Sequence, residues 1–133
     1  MALSDRLGDL DRRIEALELA VGERTSVELA SVLELAIALV SDTMGAYLEA
    51  CGEKPVPPPD TDVLDVWKIL VKGDPTWNAI RDNCRELVFY RNCLASGRAD
   101  ALPALPQRMA VRLARHVYLY VRTRCVRESR VTD

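Results

Sequence analysis

Apolar residues recur at the start of the chain with the period of a helix rather than of a strand. Leu3, Leu7, Leu10, Ile14, Leu17 and Val21 alternate steps of four and three. That spacing makes a narrow seam, the pattern of a helix packed at a shallow angle on another. Gly22 is expected to end it. Thr25 and Glu28 then have the spacing of a capping box for a second helix. Its expected core face is Leu29, Ala30, Leu33, Ile37, Val40, Met44, Tyr47 and Leu48. Leu35 and Leu39 widen that face, which places this helix centrally in a bundle. Cys51-Gly52 closes it, and the stretch from Glu53 to Pro59 holds four prolines, which bar helix and favour a stiff connector.

Asp60 or Thr61 is expected to cap a short third helix, with Val63, Leu64, Trp67, Leu70 and Val71 inward and Gly73 as its stop. Asp74-Pro75 reads as an N-cap followed by proline at the first helical position. A fourth helix runs from there to about Ala95, with Gly97 just beyond it. After a loop with Pro103 and Pro106, a fifth helix runs from about Gln107 towards Glu128. Ala110, Leu113, Ala114, Val117, Tyr118, Val121 and Cys125 share one of its faces. Its residues 117–121 are strand-like in type, but the flanks keep the helical period. The reading is an all-α, five-helix bundle, residues 1–133 as a single domain, with the proline-rich loop between helices 2 and 3.

Composition agrees with helix packing. One Phe, two Trp and four Tyr leave Leu, Val and Ala to fill the core. No apolar run is judged long enough to span a membrane, and Asp5, Arg6 and Asp9 spoil a signal-peptide reading. A cytoplasmic protein without membrane contact is expected. The four cysteines form no CxxC pair, and both Cys84–Cys93 and His116–Cys125 are nine residues apart, on opposite faces of a helix. They read as reduced thiols, with no metal and no cofactor expected.

Charge changes the picture more. Residues 1–60 hold 5 Lys/Arg against 12 Asp/Glu, a net of −7, and residues 61–133 hold 13 against 8, a net of +5. Either the halves pack on each other, within a chain or across a dimer, or the basic half meets a polyanion.

The candidate chemistry lies in residues 88–98. Projected at about 100° per residue, Trp77, Ile80, Cys84, Leu87, Val88, Leu94 and Ala95 fall on one side of the fourth helix, with Arg91 in the middle. A buried guanidinium needs a partner or an opening. One reading pairs it with a helix C-terminus or with an acid of the second helix: Glu34, Asp42 or Glu49. The other makes it a clamp for an anionic group such as an RNA phosphate.

Tyr90-Arg91-Asn92-Cys93-Leu94-Ala95-Ser96-Gly97 resembles the signature of HEPN domains, an Arg, often a polar residue next, then a His after four to six residues. The order of elements over about residues 25–125 is similar too. The resemblance implies a helical bundle, usually dimeric, with an RNA-cleaving site across the interface. Arg91 would match the family Arg, Asn92 the polar residue, and Ser96 stands where His is expected. Serine has no pKa near neutrality and cannot replace histidine as general base. His116, the only histidine, could complete the pair only if its side of the fifth helix met the fourth or a second copy.

Arg108, Arg112, Arg115, Arg122 and Arg130 lie roughly opposite the core face of the fifth helix, interrupted by Val111, Leu119 and Val126. This suggests contact with a partner. The expected function is a HEPN-like protein that acts by association, as a homodimer or with a protein partner, in a toxin–antitoxin or defence-type system. Catalysis is expected to be lost, with RNA or nucleotide binding possible at Arg91. The alternatives are an active metal-independent ribonuclease and a generic helical adaptor.

Overall fold

The fold is organised around α2, Leu29–Cys51, the one helix that packs against all four others. The computed structural model describes residues 1–23 and 27–132. Around α2 lie α1 (Leu3–Glu23), α3 (Val63–Val71), α4 (Arg81–Ala95) and α5 (Pro106–Arg127). A 3-10 stretch, Pro75–Ile80, leads directly into α4, and a 3-10 turn, Ala99–Ala101, follows it. No strand occurs among the described residues, so the protein is an all-α bundle.

Side-chain contacts fix the directions. Gln107 at the start of α5 donates to the Val27 carbonyl just before α2, and Tyr47 near the end of α2 donates to Glu128 just after α5 at 2.6 Å. α2 and α5 are therefore parallel. Arg6 pairs with Glu49 and Arg13 with Asp42, while Tyr118 donates to the Leu7 carbonyl at 3.0 Å and Arg115 meets Glu18 at 2.8 Å, which sets α1 antiparallel to both. Asn83 meets the Leu113 carbonyl and Tyr120 donates to the Thr76 carbonyl, so α4 runs antiparallel to α5.

The seam of α1 is buried as its spacing dictates: Leu7, Leu10, Ile14, Leu17 and Val21, with Leu3 partly covered. Each such side chain contributes about 1.5–3 kcal/mol on leaving water. α1 runs one residue past Gly22 to Glu23, because glycine permits a helix end without forcing one. The capping residue Thr25 lies outside the described residues.

The α2 core is wider than one stripe. Val32, Leu33, Ala36, Leu39, Val40, Thr43, Met44, Ala46, Tyr47 and Leu48 are buried, since the helix is covered on three sides. Ala30 and Leu35 are instead exposed, Leu35 at 52%. Buried Thr43 satisfies its hydroxyl on the Leu39 carbonyl at 2.7 Å. One expectation needs correction here. The 23-residue α2 is long and apolar enough to cross a membrane by length and composition, because alanines and aliphatics outnumber its carboxylates. In the fold it is the central helix, with Glu34, Asp42 and Glu49 on its open side.

The helix stops act through backbone geometry. Gly52 caps α2 in the left-handed region, φ +67°, and donates to the Leu48 carbonyl. Gly97, φ +69°, closes α4 with Arg98 N–H on the Cys93 carbonyl and its own N–H on the Leu94 carbonyl, a Schellman motif. Asp74 accepts from the Thr76 N–H and Pro75 follows it, as the sequence predicts, but the first turns are 3-10 rather than α. At α3 the N-cap position is Asp62, not Asp60 or Thr61, and its carboxylate makes no cap bond.

Candidate functional site

The buried face of α4 rotates along the helix, and that decides where Arg91 goes. Ile80, Cys84 and Leu87 point into the core at its N-terminal half, whereas Tyr90 and Cys93 are the buried residues at the C-terminal half. At about 100° per residue the two sets differ by more than a quarter turn. Arg91 is therefore carried out of the core to its rim, and Ala95 is exposed. The side chain of Arg91 is 43% exposed and donates to Asp62 at 2.9 Å. The projected burial of Arg91 is corrected, and so is its acid: the partner comes from the α3 N-cap rather than from Glu34, Asp42 or Glu49. The Asp62 carboxylate makes no bond to the first turn of its own helix and faces α4 instead.

Arg91 stands at a cleft of about 390 Å³ between α2 and residues 60–63. Glu34 and Asp42 line it from α2, and Asp60 and Asp62 from the connector. One guanidinium thus faces four carboxylates, of which Asp42 is shared with Arg13. An incoming phosphate would meet net negative charge.

Asn92 and Ser96 are exposed. The Asn92 carbonyl accepts both the Ser96 N–H at 3.0 Å and the Ser96 hydroxyl at 2.7 Å. Ser96 is the C-cap of α4, and its hydroxyl is occupied in ending the helix. His116 is exposed on α5. Asn83 sets its level beside Leu113. Because α4 and α5 are antiparallel, the three residues from Leu113 to His116 and the eight from Asn83 to Arg91 lead in opposite directions, which puts the two side chains' levels about 16 Å apart along the axis. No α5 residue lines the Arg91 cleft, so one chain does not bring His116 to Arg91.

The arginines of α5 and of the turn after it divide. Arg115 is drawn in beside α1, where two of its nitrogens meet Glu18 at 2.8 and 3.2 Å and a third meets Asp11. Arg130 pairs with Glu128 at 2.9 Å and donates to the Cys51 sulfur at 3.3 Å. Arg122 is half-buried. Arg108 and Arg112 are exposed and beside Arg115 border a cavity of about 240 Å³ at the end of α1. Val111, which seemed by projection to interrupt the basic side, is buried against that end of α1.

One well-enclosed arginine is not singled out by the projection. Arg124 has a side chain 12% exposed and contacts Asp74 at 3.1 Å, Glu128 at 3.2 Å and the Thr76 hydroxyl at 2.7 Å. Burial works against its charge, but the bonds to Tyr120, Asp74 and Glu128 hold its pKa above the ordinary arginine range. Burial also opposes ionised Glu128, yet the hydrogen bonds from Tyr47, Arg130 and Arg124 hold its pKa below the ordinary range. The signal for this cluster was the Asp74-Pro75-Thr76-Trp77 turn, which offers an acid, a hydroxyl and an aromatic face together.

All four cysteines are free thiols. Among the described residues no group of three or more His, Cys, Asp or Glu is placed to hold a metal ion. Compared with family models, curated proteins and solved structures, the chain matches none of them.

Proposed function

We propose that this chain is a HEPN-like helical bundle that acts through association with protein rather than by cleaving RNA. The observation that carries the reading is the pairing of Arg91 with Asp62 inside a cleft that holds three further carboxylates. Metal-free RNA cleavage needs a base at the ribose hydroxyl and a positive group at the phosphate. Ser96 has its hydroxyl bound to a backbone carbonyl, His116 lies on another helix, and Arg91 faces acids. The cleft suits a basic protein group better than a phosphate. The setting that the resemblance implies is a toxin–antitoxin or defence-type system, with a protein partner or a second copy.

Incubation of the purified chain with single-stranded and hairpin RNA tests the reading. Both RNAs are expected to remain intact. Cleavage that disappears in Arg91→Ala, with helicity retained by circular dichroism, would overturn it.

A further inference from the structure

Two outward faces of the bundle complement each other in charge and shape. The first is the open stripe of α2: Glu34, Leu35, Ala38, Asp42, Gly45 and Glu49. It lies between α1 on one flank and residues 56–63 on the other, and the clefts beside it meet at Ser41 and Asp42. Its floor is small, so a second helix can approach to about 8–10 Å between axes. Leu35 and Leu39 form an apolar end with Ala16 and Ala20 of α1. With Asp60 and Asp62 the rim has five carboxylates, and the three arginines that pair with them, Arg6, Arg13 and Arg91, leave a net of −2.

The second face is the outward side of α5, a helix with six arginines and no carboxylate. Arg108, Arg112, His116, Leu119, Thr123 and Arg127 are its exposed residues along one stripe. Arg108, Arg112 and Arg127 form no salt bridge with a described residue. Leu119 is 51% exposed in the middle of them, an apolar anchor on a cationic helix.

At 1.5 Å per residue the α2 stripe runs about 22 Å and the α5 stripe about 28 Å. The two faces lie on opposite sides of the molecule. Tyr47, at the centre of the buried arc of α2, points to the C-terminal end of α5, while the open stripe of α2 points away from it.

We infer that the α5 face of one copy docks into the α2 groove of the next, so that the chain associates head to tail. The contact is heterologous and, with its two halves on opposite sides, leaves an open groove and an open α5 at the ends of every assembly. Run antiparallel with Leu119 on the apolar end at Leu35, α5 brings Arg112 to the level of Asp42 and Arg108 to the level of Gly45 and Glu49, and opposite charges set that register. This rests on the association reading above and names its partner as a second copy.

The test is light scattering of the full chain over a range of concentrations, at low and high salt, after nuclease treatment. The wild-type mass is expected to rise with concentration without levelling at two chains, and to fall when salt screens the contact. Glu34→Arg, with Leu35→Arg as a second variant of the same face, is expected to leave single chains. Arg108→Glu with Arg112→Glu is expected to do the same. All these residues are exposed, and thermal melts confirm that the variants fold. A mixture of one variant from each face retains one good groove and one good helix, and is expected to form two-chain assemblies only. A single-chain wild-type mass at every concentration would overturn the inference. So would a two-chain mass that survives every variant, or association that requires nucleic acid. A monomeric wild type that leaves RNA intact removes the self-docking alone, whereas Arg91-dependent cleavage removes the association reading itself.

Discussion

The guanidinium of Arg124 lies 4.1 Å from the ring centre of Trp77, and that ring meets Tyr47 and Tyr120 edge-on at 4.9 and 5.6 Å. The stack ties the end of α2, the turn before α4 and the end of α5 into one cluster. Arg124 is there as a cation, a fork of donors and a flat surface at once. Arg124→Ala leaves Asp74 and Glu128 without their shared partner and is expected to cost about 3 kcal/mol. Arg124→Lys keeps the charge but loses the fork and the stacking, and is expected to recover less than half. Urea unfolding of the two variants measures both.

The same cluster sets an acid limit. Asp74 is held below its ordinary pKa first by the Thr76 hydroxyl and then by Arg124, and Glu128 is also depressed. A carboxylate with a lowered folded pKa contributes stability above its unfolded pKa and loses it as pH falls through the folded one. The melting temperature is therefore expected to hold from neutrality down to about pH 4–5 and to drop below that range. Glu128→Gln should lower Tm at neutral pH and flatten the acid branch. A parallel acid branch in the variant would contradict the assignment.

Arg91 is expected to matter little for stability. Its pair with Asp62 is an exposed one, and such pairs contribute about 0–1 kcal/mol. Arg91→Ala should shift the urea midpoint by less than that amount allows and leave the far-ultraviolet spectrum unchanged. A loss above about 2 kcal/mol would return Arg91 to the core role that its helical projection suggested.

Thiol chemistry offers a separate check on the packing. Burial alone pushes the Cys84 thiol up to about 12, and burial together with Glu128 pushes Cys125 up to about 11. Cys93 is also buried, and only Cys51 is half-exposed. A thiol-reactive dye under native conditions is expected to label at most one cysteine per chain, at Cys51, and all four after denaturation. Native labelling of Cys84 would mean that α4 does not pack as described.

Helix identity was legible because each element carries its own period and its own stop. The α1 seam, the caps at Gly52 and Gly97 and the Asp74-Pro75 turn follow from local chemistry. Arg91 was not legible, because a flat projection assumes one buried face from end to end. The buried face of α4 turns between Leu87 and Tyr90, and only tertiary packing sets that turn. Arg124 escaped for a related reason. Its partners, Asp74, Thr76 and Glu128, come from two elements, and pattern within one helix does not name them. The Ser96 departure was legible in the motif, but its bond to the Asn92 carbonyl was not.

The central claim is that Arg91 serves a protein-facing acidic cleft and not an RNA phosphate. Fluorescence anisotropy of a labelled RNA oligonucleotide, titrated with wild type and with Arg91→Ala at one salt concentration, tests it most directly. Whatever affinity the basic face of α5 gives the chain, the two proteins are expected to bind equally. A loss of about tenfold or more in Arg91→Ala, with its helicity and urea midpoint intact, would contradict the account.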